Sequence, residues 1–332
     1  MFKLVDPFLV SLISTVLLAT FIPSYGLGLV VVNNLAIFAI ALMFFLQGAR
    51  LSRKAMLEGM LHWRLHLLIF LCTFALFPLL GLLLEKLFPH LLVPGLWAGV
   101  IFLCCLPSTI QSSIAFTSIA KGNVPAAICS ATASNVLGIF ITPIIVGIIF
   151  NSHGGQGQIG GGLSIIYQLL LPFIAGQLLQ PLIGGWALRN RRLLSFSDRG
   201  SILVVVYSAF SEAATMGLWH RLDFKQLVYV AGVDILLLFM VLILMAVISK
   251  LLRFSFADRI SIVFCGSKKT LASGVTMANV LFPPGMVGII VLPLMIFHQI
   301  QLFVIAIIAR QCGRLRDKEE EALEKAELEQ LR

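Results

Sequence analysis

The chain has 332 residues, of which 59% are hydrophobic and only 12% charged, where a soluble domain carries about 25% charged residues. That composition excludes an ordinary soluble domain and reads as an integral membrane protein. The net charge of +9 does not indicate nucleic acid, because Lys and Arg sit in short loops between apolar runs, which is a topology signal.

A bilayer span needs about 20 apolar residues. By that measure the chain holds ten segments, near 6–23, 29–48, 65–84, 95–119, 124–149, 163–183, 200–217, 226–249, 259–281 and 286–309. The first starts at Phe8 and ends in FIPSYG without a small-residue cleavage site, so it reads as a spanning helix and not a signal peptide. Pro78 in the third and Pro143 in the fifth are expected to kink their helices. Basic residues follow the second segment (Arg50, Arg53, Lys54, Arg64), the sixth (Arg189, Arg191, Arg192, Arg199), the eighth (Lys250, Arg253) and the tenth (Arg310, Arg314, Arg316). The alternate loops hold only Lys86, Arg221 and Lys225. An excess of Lys and Arg marks cytoplasmic loops, which predicts cytoplasmic termini and an even number of spans. Trp219 and His220 are expected as interfacial anchors.

Ten spans divide into two sets of five, 1–150 and 163–310, joined by the Gly-rich stretch NSHGGQGQIGGG at 151–162. Halves with an odd number of spans have opposite orientation, the arrangement of inverted-repeat transporters. The Gly-rich stretch follows no strand and lacks GK[ST], so it reads as an external linker and not a phosphate cradle. The charged tail, 311–332, reads as a solvated cytoplasmic helix with no site. Cys72, Cys104, Cys105, Cys129, Cys265 and Cys312 lie in or beside apolar runs without ligand spacing and are expected as buried free thiols. Neither a metal site nor a cofactor is expected from them.

The candidate site comes from internal symmetry. The fourth segment reads CCLPSTIQSSIAFTSIAKGNVP and the ninth FCGSKKTLASGVTMANVLFPP. Each runs from Cys to a helix-weakening residue, Pro107 or Gly266, and then to a polar run. The first run is Ser108, Thr109, Gln111, Ser112 and Ser113; the second is Ser267, Lys268, Lys269, Thr270 and Ser273. Each ends in a proline, Pro125 or Pro284, that opens the next helix. Interrupted polar segments at matching positions of two halves point to a transporter's midplane site. Tight helix packing would explain the Ser and Gly residues, but not Gln111 or two lysines at membrane depth, which are costly there unless they line a pathway. Ser130, Thr132, Ser134 and Asn135 of the fifth segment join the candidates, as do Glu212 of the seventh and His298 and Gln299 of the tenth, where Gln301 is also mid-helix. A lone Glu or His at such depth is as readily a buried pairing residue, and Glu212 could pair with one of the lysines.

The sequence resembles the bile acid:sodium symporter family, solute carrier family 10 and its bacterial relatives. The resemblance rests on CCLPST…AKGNVP (104–125), FALFPLLG (74–81) and the polar ninth segment, and covers essentially the whole chain through Arg310. It is closest to the branch, including vertebrate seventh members, that carries GSKKTLASG (266–274) and LPLMIFHQIQL (292–302). The resemblance implies an all-α fold of ten helices in two inverted repeats. Segments 1, 2, 6 and 7 would form a panel, and 3–5 with 8–10 a core. Segments 4 and 9 would unwind and cross, and the core would move in alternating access.

The family's sodium sites use a Ser-Asn pair, segment-five hydroxyls, a segment-three Gln and a Glu-bearing stretch. Here the pair falls on Ser112 and Ser113, the Gln on Thr73, and the Glu on Ser267, followed by Lys268, Lys269 and Thr270. A carboxylate is lost and ammonium groups arrive; like charges repel strongly at low dielectric, so a lysine there excludes sodium from the place it takes. The expectation is that one lysine stands in for a cation against Gln111, Ser112, Ser113 and the crossover carbonyls, while the other pairs or packs. The leading reading is a secondary transporter of a bile-acid-like or other carboxylated organic anion, proton-coupled or uncoupled. It would act as a monomer or weak homodimer in a bacterial inner membrane, with no nucleic-acid partner. A sodium-coupled symporter and a non-transporting regulatory or interaction protein are the alternatives. An intramembrane enzyme ranks last, since Ser267 beside Lys268 is the nearest thing to a catalytic dyad.

Overall fold

The computed structural model describes residues 7–50, 62–152, 166–217 and 223–330. Within them the chain is helical, with no strand. In chain order the helices are α1 (Pro7–Phe21), α2 (Leu27–Arg50), α3 (Trp63–Leu87), α4 (Pro94–Cys105), α5 (Gln111–Ile119) and α6 (Val124–Ser152). Then come α7 (Leu171–Arg189), α8 (Arg191–Thr215), α9 (Phe224–Leu251), α10 (Phe256–Gly266), α11 (Leu271–Leu281) and α12 (Pro284–Gln330). Much of the Gly-rich stretch, Arg53, Lys54, Trp219, His220 and Arg221 lie outside the described residues.

Among the described residues, seven helices are long and apolar enough to cross a membrane. The other predicted segments fall on α1 and on two pairs of short helices, α4 with α5 and α10 with α11, each pair separated by a non-helical break. Large apolar side chains such as Phe21, Phe38, Leu79, Leu182 and Ile243 point outward, the surface of a protein solvated by lipid. The chain is an integral membrane protein. The tail does not form a separate element: α12 runs unbroken to Gln330, because EEEALEKAELEQ consists of strong helix formers.

Two groups of helices pack among themselves. In one, α2 lies against α7 and α8, and α1 against α8. In the other, α12 packs on α4, α9, α11 and α5, α10 on α3, α6 and α9, and α3 on α4. Across the seam α8 meets α11 and α12. At the C-terminal end of α2, Arg50 makes a bidentate ion pair with Asp198 of α8, at 2.6 and 3.1 Å.

The α2–α7 contact is backbone on backbone. A Cβ on Gly48 would fall on the Phe173 carbonyl oxygen, and one on Gly176 on the Phe45 carbonyl oxygen. Paired glycines are how membrane helices approach this closely. Gly176→Leu is therefore expected to force α2 and α7 apart at a cost of about 1–3 kcal/mol. Thermal unfolding of the purified protein in detergent measures it, and an unchanged midpoint would contradict the close approach.

Candidate functional site

The first break follows from Pro107. The residue before a proline is pushed out of helical backbone, and Leu106 is extended, with ψ 153°. α4 therefore ends at Cys105, leaving its last carbonyls without helical donors. Thr142 Oγ1 donates to the Cys105 carbonyl at 2.8 Å. Beyond the break, Ser108 N–H donates to Ser134 Oγ at 3.1 Å, and Asn135 Nδ2 donates to the Ser108 carbonyl at 2.6 Å. α6 can press this close because Gly138 faces Pro107, where a Cβ would come within 2.6 Å of the ring.

The second break spans 267–270, between α10 and α11. Ser108 Oγ donates to the Cys265 carbonyl at 2.6 Å, and Thr270 N–H donates to the Pro107 carbonyl at 3.0 Å. The two breaks therefore cross in direct contact, each supplying donors for the other's freed carbonyls. Gln301 of α12, fully buried, clamps the second break. Lys269 N–H donates to its Oε1 and its Nε2 donates back to the Lys269 carbonyl, both at 2.8 Å.

Lys268 and Lys269 both have fully buried side chains. The segment is not helical here, and the two ammonium groups reach different rings, Lys268 that of Phe116 and Lys269 that of Phe77. Lys269 Nζ donates to the carbonyls of Cys104 (2.7 Å), Leu106 (2.7 Å) and Thr73 (2.8 Å), and lies 4.1 Å from the centre of the Phe77 ring. Two of those carbonyls belong to the end of α4, the negative end of its dipole.

The third carbonyl is freed by a π-helical turn at Cys72–Leu76. There Phe77 N–H reaches back five residues to the Cys72 carbonyl. The Thr73 carbonyl then has neither Phe77 nor the next residue as donor, because Pro78 carries no N–H. Its own hydroxyl turns back to the Ile69 carbonyl at 2.8 Å.

Three charge-assisted hydrogen bonds of about 1.5–3 kcal/mol each, with a desolvated cation–π contact of about 2 kcal/mol, roughly offset the several kcal/mol of desolvating an ammonium. The lysine thus fixes the geometry of the crossing more than it adds net stability.

Lys268 is different. Its Nζ lies 4.2 Å from the centre of the Phe116 ring on α5 and has no hydrogen-bond partner. The hydroxyls of Ser267 and Thr117, equally buried, also lack partners.

The crossing gathers Pro107, Ser108, Ser134, Asn135, Gly266, Lys269, Thr270 and Ser273 of the predicted residues. Asn135 Oδ1 accepts from Ser273 Oγ (3.2 Å) and, across the seam, from Gln47 Nε2 of α2 (2.9 Å). Gly266 offers its carbonyl to the Cys72 thiol. Other predicted residues stand apart. Thr109, Ser112 and Ser113 hydrogen-bond among themselves, with Thr109 Oγ1 2.7 Å from Ser112 Oγ and 3.4 Å from Ser113 Oγ. Ser130 pairs with His66 Nδ1 at 2.7 Å, and Thr132 and Gln299 are half-buried outside the network. Gln111 is exposed. The expectation that an ammonium sits against Gln111, Ser112 and Ser113 is thus corrected: at the crossing it bonds carbonyls alone, because the side chains of early α5 satisfy one another or point outward. Glu212 is half-buried in α8 and pairs with neither lysine; among the described residues the ion pair is Arg50–Asp198. His298 reaches the site through Gln301, 2.9 Å from its Nδ1.

Sequence reasoning passed over Gln301 as a site residue, along with Gln47, Thr142 and the two phenylalanines, and reached Thr73 only through the resemblance. Gln301 shares a helix face with buried Leu294, Phe297 and Ile305, a signal present in its spacing. Asp234 of α9 is also fully buried.

No cluster of metal-ligating side chains occurs among the described residues. Sodium does not fit at the Thr73, Cys104 and Leu106 carbonyls, since an ammonium already fills the space a cation would take there.

The family model of the SBF-like CPA transporters matches residues 6–314. The "Uncharacterized protein PA2026" of Pseudomonas aeruginosa is 51% identical over 97% of both chains. The "Putative symporter YfeH" of Escherichia coli is 48% identical over 98% of this chain and 99% of that one. The "Sodium/bile acid cotransporter 7" of Rattus norvegicus is 26% identical over 80% of this chain and 79% of its own length.

Removing the Lys269 side chain would leave three carbonyls facing each other without a donor. Lys269→Met and Lys269→Ala are expected to lower the free energy of unfolding by about 3–5 kcal/mol. Denaturation in detergent checks this, and a loss below about 1 kcal/mol would contradict the role of the cage.

Proposed function

The chain belongs to the SBF-like CPA transporter family, and on that basis we propose that it is a secondary transporter of an organic anion. The solute is bile-acid-like or otherwise carboxylated and amphipathic, and it moves by alternating access. The ten predicted segments are taken as ten spans in two inverted halves, 1–150 and 163–310. Both termini and the tail, 311–332, lie on the cytoplasmic side of a bacterial inner membrane. The group α1, α2, α7 and α8 acts as panel and the remaining helices as core. The packing of helices into two groups that meet along α8 supports that division.

The observation that carries the mechanism is Lys269. Two helices broken in mid-membrane expose carbonyls that a lipid-buried fold must satisfy. In this chain a covalently held ammonium satisfies them, so the crossing keeps its positive charge without binding an ion. Half-helix N-termini at the two breaks add positive potential, which favours an anionic solute. Coupling is then to protons or absent. Gln47, the panel residue hydrogen-bonded to Asn135, marks where the two groups part.

A second reading, a sodium-coupled symporter, draws on the name of the rat relative and on the separate oxygen cluster of Ser134, Asn135 and Ser273. The readings part in one assay. A ligand that binds only the folded state stabilises it by RT ln(1 + [L]/Kd). Thermal unfolding is titrated with sodium chloride, potassium chloride and choline chloride, and proteoliposome uptake of labelled taurocholate and succinate is compared under sodium and potassium gradients. The expected result is no sodium-specific stabilisation and protein-dependent uptake that is equal under both gradients. Sodium-specific stabilisation would replace the resident-ammonium reading with the second one, and no uptake of either solute would overturn organic-anion transport.

A further inference from the structure

The two adjacent lysines differ in one respect that the proposed function does not use. Lys269 is saturated by carbonyls, while Lys268 is equally buried, and its ammonium has no hydrogen-bond partner. Buried polar groups in native proteins are almost always paired, and a buried charge above all, so each exception calls for an explanation. Two further unpartnered hydroxyls lie beside this contact along the chain. The Ser267 hydroxyl adjoins Lys268 in the same break, and the Thr117 hydroxyl is next in sequence to Phe116, the ring against which the ammonium rests. All three groups are fully buried and can donate. The Cys265 thiol, at the end of α10 beside the break, is directed at the Ala127 carbonyl, 3.8 Å away. No carboxylate pairs with Lys268 among the described residues.

From this we propose that Lys268, Ser267 and Thr117 form the subsite for the anionic group of the solute, a carboxylate or similar oxyanion, with the Phe116 ring against its apolar part. The inference rests on the organic-anion reading above and narrows it. The ring holds the ammonium by its π face while the subsite is closed. A carboxylate replaces that contact with stronger charge-assisted hydrogen bonds, for which the two hydroxyls add further donors. One lysine of the pair is therefore structural and the other binds solute, and the non-helical break is what separates the two tasks.

The test uses the purified full chain, with potassium benzoate as probe and benzamide, equal in shape but uncharged, as control. Thermal unfolding is titrated with each for the wild type, Lys268→Met and Lys268→Arg. Benzoate is expected to raise the wild-type midpoint saturably and benzamide not to. Lys268→Met is expected to raise the half-saturating benzoate concentration by about tenfold or more, and Lys268→Arg to recover most of the response. Without ligand, Lys268→Met is expected to unfold no lower than the wild type, because it removes a charge that nothing pairs. An unchanged benzoate response in Lys268→Met, or a ligand-free midpoint several degrees lower, overturns the subsite and leaves the proposed function standing. A wild type indifferent to benzoate overturns the subsite too, and the uptake assay then shows separately whether anion transport falls with it. Uptake lost while the benzoate response persists overturns transport and keeps the subsite.

Discussion

The interaction on which the rest of the structure depends is the bond from the Lys269 ammonium to three backbone carbonyls. A broken helix in a membrane is a liability, because its freed backbone groups have no water to turn to. This chain breaks two helices and lays the breaks across each other, so that Thr270 N–H meets the Pro107 carbonyl and Ser108 Oγ the Cys265 carbonyl. What remains is an excess of acceptors at the end of α4 and at Thr73. A single cation with three donors matches that excess. The arrangement is held from outside by Gln301, Ser134, Asn135 and Thr142, each bonded to backbone at one of the breaks. Most of these partners sit on helices adjacent to the break they serve, which is why the second group of helices packs as one body.

Much of this was legible in the sequence. Long apolar runs marked the helices, and the paired polar interruptions at 107–113 and 266–273 marked where two of them break. What was not legible is which atoms meet. The partners of Lys269 are main-chain oxygens, and a main-chain oxygen has no letter in the sequence. Thr73 is the clearest case, since its hydroxyl turns away to Ile69 and its carbonyl is available because Phe77 N–H goes to Cys72 and Pro78 lacks an amide hydrogen. Gln301 was within reach, because its spacing from Leu294, Phe297 and Ile305 places it inward, whereas Gln299 lies on another face. Which lysine takes which task was not legible either, because it depends on the break at 267–270, where Lys268 reaches the Phe116 ring and Lys269 the Phe77 ring.

The boundaries were least legible where helix propensity outran hydrophobicity. α8 begins at Arg191, well before its apolar run, and α12 continues far past its own. In both places polar helix formers prolong a helix that the membrane-length criterion would have ended. The Arg50–Asp198 pair shows what the extension of α8 provides, since Asp198 lies in the polar part and ties α8 to α2.

The glycine contact between α2 and α7 bears on what can move. Where Gly48 and Gly176 bring main chain against main chain, no side-chain rotamers remain to be exchanged for a different fit. Such a joint has one seating, and sliding along it would drive carbonyl oxygens into Cα atoms. The α2–α7 pair is thus a rigid spar within its group. Any rearrangement that opens the protein has to be absorbed at the side-chain seam where α8 faces α11 and α12, which can repack without collision.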